Sequence, residues 1–403
     1  MSEIRQYLRP DFDRIITRSS TIRQSEEKLL ALTNAQYDYL DIADINDRAL
    51  VEGAAGTGKT LLAIEYARRE AAKFRSVLFV CFNRTLAEWL DKQFSGPEKQ
   101  YVTVGSYHSI IRRLVSESSY KQEFEEATGS VNEYELFSET LPFYVELALN
   151  ERGPVADTLI IDEAQDLIVE NNVPVLNLLV TGGLAGGRWA IFGDFTRQAI
   201  YQTSVSMGDG DTKKRLLDSY CERYPTIPLR VNCRNTTPIG EETALLSGFD
   251  SLPYRLSQTE GLAVDYRYFK TREDEQQQLQ NSLTTLLDHS VDPQDIVVLS
   301  PIRLEKSAAA QMQAVNNVPI SDLRDIRGEP GPCIIFSTIH AFKGMESPAI
   351  VLCGISDFKS PNGRSLLYVG MSRARSHLIV VAHEKLKAAL PELMKKRLSE
   401  SWQ

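Results

Sequence analysis

One stretch constrains this chain more than any other. Gly53-Ala54-Ala55-Gly56-Thr57-Gly58-Lys59-Thr60 is a G-x-x-x-x-G-K-T run. Arg48 to Glu52 ahead of it reads as a short strand, and Leu61 to Phe74 behind it reads as a helix. Backbone N–H groups of such a turn converge on phosphate oxygens because glycine has no Cβ to obstruct them. The N-terminus of the following helix adds partial positive charge. Lys59 is then placed for the β- and γ-phosphates, and the Thr60 hydroxyl for Mg²⁺. All eight residues, Gly53, Ala54, Ala55, Gly56, Thr57, Gly58, Lys59 and Thr60, are candidates for holding a nucleoside triphosphate such as ATP. The run says that phosphate is bound and not what hydrolysis would drive.

A second motif complements the first. The apolar run Leu159-Ile160-Ile161 ends in Asp162-Glu163-Ala164-Gln165-Asp166. Asp162 is placed to hold Mg²⁺ with Thr60, and Glu163 to polarise an attacking water. Taken alone, such an acidic pair reads equally well as the first turn of a helix; the phosphate loop weighs against that reading. A third apolar run, Ile191-Phe192, ends in Gly193-Asp194 and is followed by Gln198 and Tyr201. Gln198 is a candidate γ-phosphate sensor.

The chain has 403 residues, enough for two or three domains. Its net charge is −9, so no global basic field advertises nucleic-acid binding, and any such binding must come from a local groove. The five cysteines are scattered without a C-x-x-C pair, which points to neither a zinc site nor a disulfide framework. No stretch reaches membrane-spanning length and no apolar segment follows the N-terminus, so an intracellular, cytoplasmic location is expected. From Ala49 onward, short apolar runs alternate with helical stretches, the pattern of parallel sheets with crossover helices. The expected organisation is α/β: one domain over 1–224, with a small helical insertion at about 110–157, and a second over 225–403. Pro301 to Pro332 is expected to hold one helix and a Gly/Pro loop.

The order of these motifs resembles that of superfamily 1 helicases of the UvrD/Rep/PcrA type, and the resemblance covers nearly the whole chain. Leu32-Thr33-Asn34-Ala35-Gln36 resembles the Q motif, which implies that Gln36 reads adenine. Val80-Cys81-Phe82-Asn83-Arg84 resembles motif Ia, and Thr103 to Ser109 resembles a segment that touches the nucleic-acid backbone. Leu229 to Arg234 resembles motif IV, Phe336 to Glu346 motif V, and Leu367 to Ala374 motif VI. The resemblance implies two tandem RecA-like P-loop NTPase domains with parallel sheets. It makes Arg234 and Arg373 arginine fingers and Glu346 a nucleotide-sugar contact. It assigns Phe82, Asn83, Ser106, His108, Tyr201, Thr338 and His340 to nucleic acid. Phe82 and Tyr201 read equally well as core or interface packing.

Two departures stand out. The segment between Asp194 and Gln198 is one residue longer than the family's spacing, and no Trp follows Tyr201. The inserted subdomains are also reduced. The implied activity is ATP hydrolysis driving movement on single-stranded DNA, 3′ to 5′, with RNA as the other track. The alternative is a nucleic-acid-gated ATPase subunit working with a protein partner such as a nuclease or a repair or defence subunit. A nucleotide-switched binding module ranks last, because Lys59, Thr60, Asp162, Glu163, Gln198, Arg234 and Arg373 are all present.

Overall fold

The chain is seen in a computed structural model that describes residues 18–34, 36–129, 131–132, 135–195, 210–247, 255–256, 259–326 and 331–391. The first sheet contains β1 (Arg48–Gly53), β2 (Val77–Cys81), β3 (Val102–Ser106), β4 (Thr158–Ile161), β5 (Arg188–Gly193) and β6 (Thr226–Leu229). Their order is β3-β2-β4-β5-β1-β6, and every pairing is parallel. β2 and β4 are buried along their whole length. This is why they read as continuous apolar runs and not as alternating ones. Alternate residues still serve opposite faces. Leu50, Leu78, Leu159 and Trp189 pack against the helices of the insertion. Ala49, Val51, Phe79 and Phe192 pack against the helices Lys59–Ala72 and Arg84–Asp91.

The second sheet contains β7 (Asp265–Phe269), β8 (Ile296–Ser300), β9 (Ala314–Val315), β10 (Val318–Asp322), β11 (Ile334–Thr338), β12 (Ser347–Ile355) and β13 (Ala374–His383). The order is β7-β13-β12-β8-β11-β10-β9. All pairings are parallel except that of β9 with β10. Two α/β units in tandem are consistent with RecA-like domains. Within 301–332, the described residues form a single 3₁₀ turn, Leu304–Lys306, and the β9–β10 hairpin, and not the longer helix expected there. Asn316 and Asn317 both have positive φ, 48° and 64°. A two-residue hairpin turn needs that backbone, and Asn adopts it more readily than other non-glycine residues. The chain also crosses the division expected at residue 224 in both directions. β6 lies beyond it yet pairs with β1. The helix Arg18–Asn34 lies before it yet sends Ile22 into the core of the second unit.

Glu70 anchors the phosphate-loop helix to the first sheet. Its carboxylate is fully buried and accepts from Lys73 (2.9 Å), Arg75 (2.7 Å), Arg188 (2.7 Å) and the Thr158 hydroxyl (3.2 Å). Burial alone would raise its pKa, but the three cations outweigh burial and hold it at about 2. Asn83 joins the two units. Its Oδ1 accepts from the Thr85 N–H at 2.9 Å and caps Arg84–Asp91, while its Nδ2 donates to the Ala341 and Lys343 carbonyls, both at 3.1 Å. Lys343 in turn pairs with Asp166 across the same junction at 2.5 Å.

Two stability predictions follow from these contacts. Glu70→Gln lowers unfolding free energy by about 3 kcal/mol at neutral pH, because it leaves Arg188 under-compensated. The carboxylate's contribution is whole above about pH 4.5 and is lost as pH falls toward 2. Urea unfolding of wild type and Glu70→Gln should therefore converge in acid; a constant gap would refute the assignment. Asn83→Ala costs about 1–2 kcal/mol by removing a cap and the two bonds between units. Asn83→Ser, which keeps a capping oxygen, recovers only the cap's share in the same melts.

Candidate functional site

The site is built where β1 ends. Gly56 and Gly58 take left-handed backbone, φ 87° and 82°, to turn the chain into the helix that begins at Lys59. A Cβ on Gly56 would also stand 2.7 Å from Asn232 Oδ1. The Thr57 hydroxyl closes the loop onto the Ala54 carbonyl at 2.8 Å. Lys59 Nζ donates to the carbonyls of Gly53 (2.7 Å) and Ala54 (3.0 Å). Burial lowers the Lys59 pKa, opposed by the carboxylates of Glu163, Asp194 and Asp162.

Motif II meets this loop from β4. The Thr60 hydroxyl donates to Asp162 Oδ2 at 2.7 Å, and the Glu163 N–H donates to Asp162 Oδ1 at 2.9 Å. Burial, followed by the neighbouring Glu163 charge, pushes Asp162 up to about 6. Glu163 sits at φ 51°, uncommon for a residue with a side chain. A single 3₁₀ turn, Ala164–Asp166, follows it; the acidic pair therefore does not open an α-helix. Burial alone would raise Glu163, yet Lys343, Lys59 and Arg373 hold it near 2, ionised. Gln165, whose role the sequence left unassigned, locks the arrangement. Its amide nitrogen donates to the Glu163 carboxylate, and its Oε1 accepts from the Asp194 N–H at 2.9 Å. Lys213 donates to the Gln165 carbonyl from the helix Gly210–Asp218.

The second unit completes the walls. The Cys233 and Arg234 N–H groups both donate to the Gly56 carbonyl, at 2.8 and 3.1 Å. A cavity of about 210 Å³ opens above the loop, walled by Lys59, Thr60, Glu163, Arg234 and Arg373 among others. Ala55 and His340 also border it. Arg373 is 4% exposed. Its guanidinium donates only to the carbonyls of Val369 (3.1 Å) and Met345 (3.4 Å), and no carboxylate among the described residues pairs with it. Burial, with repulsion from Arg234, lowers its pKa to about 10. A buried guanidinium without an ion-pair partner is costly. Here it faces a second arginine and a lysine over one cavity, which suits a polyanion. Thr60 and Asp162 form a hydroxyl–carboxylate oxygen pair of the kind that holds Mg²⁺.

A second cavity of about 260 Å³ shares Gly56, Gly58, Thr60 and Arg234 with the first. Its other walls include Leu61, Trp89, Met345, Glu346 and Arg375. Glu346 bridges Arg234 (2.5 Å) and Arg375 (3.3 Å). Burial opposes its ionisation, but the two guanidiniums lower its pKa overall. Gln36 is buried nearby, with Nε2 on Cys233 Sγ at 3.0 Å. Its Oε1 has no partner among the described residues.

The residues expected on nucleic acid divide into two groups. Phe82 is 44% exposed and meets His108 edge-on at 5.6 Å. His108 continues to Phe137 at 4.7 Å, and Arg112 lies 4.9 Å over that ring. Phe137 and Arg112 come from the insertion, where no sequence motif flagged them. Burial and Arg112 keep the His108 pKa low. Asn83 and Ser106 are instead occupied inside the protein: Asn83 by its cap and the other unit, Ser106 by capping the helix Tyr107–Ser116 and bonding Ser109. The Thr338 hydroxyl accepts from the Ala341 N–H at 3.1 Å, and His340 borders the first cavity. Gln198 and Tyr201 lie outside the described residues. All five cysteines are buried and free, and no described helix is long and apolar enough to cross a membrane.

Comparisons with known proteins bear on both units. Residues 47–176, which carry the phosphate loop and Asp162-Glu163, match the Schlafen group 3 DNA/RNA helicase domain. Residues 334–381, which carry Thr338, Glu346 and Arg373, match the UvrD-like helicase C-terminal domain. Among solved structures the chain is similar to the C-terminal domain of a possible DNA helicase from Lactobacillus plantarum WCFS1. That similarity has 18% identity and a TM-score of 0.30, over 37% of this chain and 86% of the other. No curated protein matches. A helicase-family model thus matches a segment of each unit, and these segments hold Lys59, Glu163, Glu346 and Arg373 of the cavity walls.

Proposed function

We propose that this chain hydrolyses ATP between its two α/β units and uses the cycle to move along single-stranded DNA, in the 3′-to-5′ sense that its family resemblance implies. The observation that carries the reading is the buried Arg373, which forms no ion pair with a carboxylate among the described residues, facing Arg234 and Lys59 over one cavity with the Asp162–Thr60 pair beside it. Lys59, Arg234 and Arg373 would hold phosphate charge, the two arginines reaching it from the second unit. Thr60 and Asp162 would hold Mg²⁺, which when bound neutralises charge on the phosphates. Glu163, ionised and steadied by Gln165, would orient the attacking water by accepting its hydrogen bond. Gln198 would sense the γ-phosphate. The second cavity suits the nucleoside, with Glu346 toward the sugar and Gln36 close to the base.

Coupling follows from where the cations sit. Phosphate charge draws Arg234 and Arg373 toward Lys59, so each cycle of binding and hydrolysis changes how the second unit bears on the first. Phe82, His108, Phe137 and Arg112 offer rings and a guanidinium on which bases stack without regard to sequence. Thr338 would add a backbone contact from the second unit. RNA remains the alternative track, because stacking and backbone contacts serve either strand.

A second reading has its own observation. Between β8 and β11 the described residues hold a 3₁₀ turn and a short hairpin, where the family resemblance implies a helical insert, so little of the described chain is available to grip a duplex. A nucleic-acid-gated ATPase that relies on a protein partner, such as a nuclease or a repair or defence subunit, would need no more. Unwinding of a tailed duplex by the purified chain decides between them: robust unwinding alone removes the second reading. For the site itself, Arg373→Ala should cut turnover by about 10³-fold or more while ATP still binds. Turnover near wild type in that variant would overturn the finger assignment.

A further inference from the structure

The helix Arg18–Asn34 precedes the first unit but is docked on the second. Ile22 enters the second core beside Phe269 and Leu279. The Ser25 hydroxyl donates to the Glu260 carbonyl at 3.0 Å. Glu26 then reaches β13: one carboxylate oxygen pairs with Arg375 at 2.5 Å, and the other accepts from the Ser376 hydroxyl. Leu30, a turn later, is a wall of the second cavity. The chain next passes Gln36, bonded to Cys233, and enters the first unit at Tyr37 and Leu40.

Arg375 is held between two carboxylates. Its NH2 is on Glu26, and its NH1 reaches Glu346 Oε1 at 3.3 Å. Glu346 Oε2 takes Arg234 Nε at 2.5 Å. Glu26, Arg375, Glu346 and Arg234 thus form a line of alternating charge, running from the N-terminal helix to the wall shared by both cavities. Arg375 and Glu346 also border the second cavity themselves. The docking pair is part-exposed, Arg375 at 30% and Glu26 at 24%, and a pair of that kind adds little to stability. Its larger effect is on geometry. Without Glu26, the whole guanidinium of Arg375 is available to Glu346, whose carboxylate then turns from Arg234 and from the cavity.

We infer that Glu26 is a positioning residue for the nucleotide site: it holds Arg375, and through Arg375 it sets Glu346 and Arg234, so that the docked N-terminal helix governs nucleotide affinity. The inference rests on the nucleotide-site reading above. The experiment is titration of the full chain with a fluorescent ATP analogue, alongside KM and kcat for ATP, in wild type, Lys59→Ala, Glu26→Ala, Glu26→Gln and Ser25→Ala. Glu26→Ala should bind about tenfold more weakly and raise KM in step while kcat changes little, the scale of one lost charge-assisted contact. Its melting temperature without nucleotide should stay near wild type. Ser25→Ala, which removes a docking bond on the same helix but leaves the charged line intact, should bind like wild type. Wild-type affinity in Glu26→Ala would overturn the inference, as would equal weakening in Ser25→Ala, which would make helix docking as a whole the cause. If Glu26→Ala does not fold, Glu26→Gln, which keeps the side chain's size and its bond to Ser376, answers the same question. Wild type that binds no better than Lys59→Ala would instead refute the nucleotide site, and this inference with it.

Discussion

The structure depends on how it pays for buried positive charge at the junction of its two units. Lys59, Arg234, Arg373 and Glu163 line one cavity, and Asp162 is buried behind it on Thr60. Burial acts against the charges of Lys59, Arg373, Asp162 and Glu163. It lowers Lys59 and Arg373 and raises Asp162. Only Glu163 is pulled firmly toward its ionised form, because three cations surround it. Such a set is costly to break in parts, and in the proposed function phosphate would supply negative charge to it.

Both units meet at the carboxyl ends of their strands, and that explains why one cavity can draw on both. β1 and β4 end in the phosphate loop and in Asp162, while β11 and the helix Pro361–Met371 lead into Lys343 and Arg373. The junction is stapled by polar groups that belong to loops: Asn83 to the Ala341 and Lys343 carbonyls, Asp166 to Lys343, and the Gly56 carbonyl to the Cys233 and Arg234 N–H groups. These bonds lie in loops outside both sheets, and the cores beneath them are apolar.

The elements that bring the Gly53–Thr60 loop to Asp162 and Glu163 were legible in the sequence because their pattern is local. A phosphate loop needs its glycines and its lysine in one short run, and an Asp-Glu pair needs an apolar strand before it. The parts that were not legible depend on long-range placement. Nothing near Asn83 announces that its amide faces the other unit, and the pattern of Arg18–Asn34 gives no sign of which core takes Ile22. Gln165 was in plain view within its motif, but its bridge between Glu163 and the Asp194 N–H exists only once β4 and β5 are paired. The hairpin at Asn316-Asn317 did have a local signal, a pair of turn-forming asparagines between β-branched residues, and reading it would have replaced the expected helix.

The central claim is that this junction is a nucleotide site whose turnover is tied to a nucleic-acid track. The most direct measurement is steady-state ATP hydrolysis by the purified chain with no nucleic acid, with single-stranded DNA, with single-stranded RNA and with blunt duplex, using Lys59→Ala as the control. The account predicts strong stimulation by a single strand, DNA above RNA, weakening as salt rises because phosphate contacts release counterions. Hydrolysis that is indifferent to every nucleic acid, or that persists in Lys59→Ala, would contradict it.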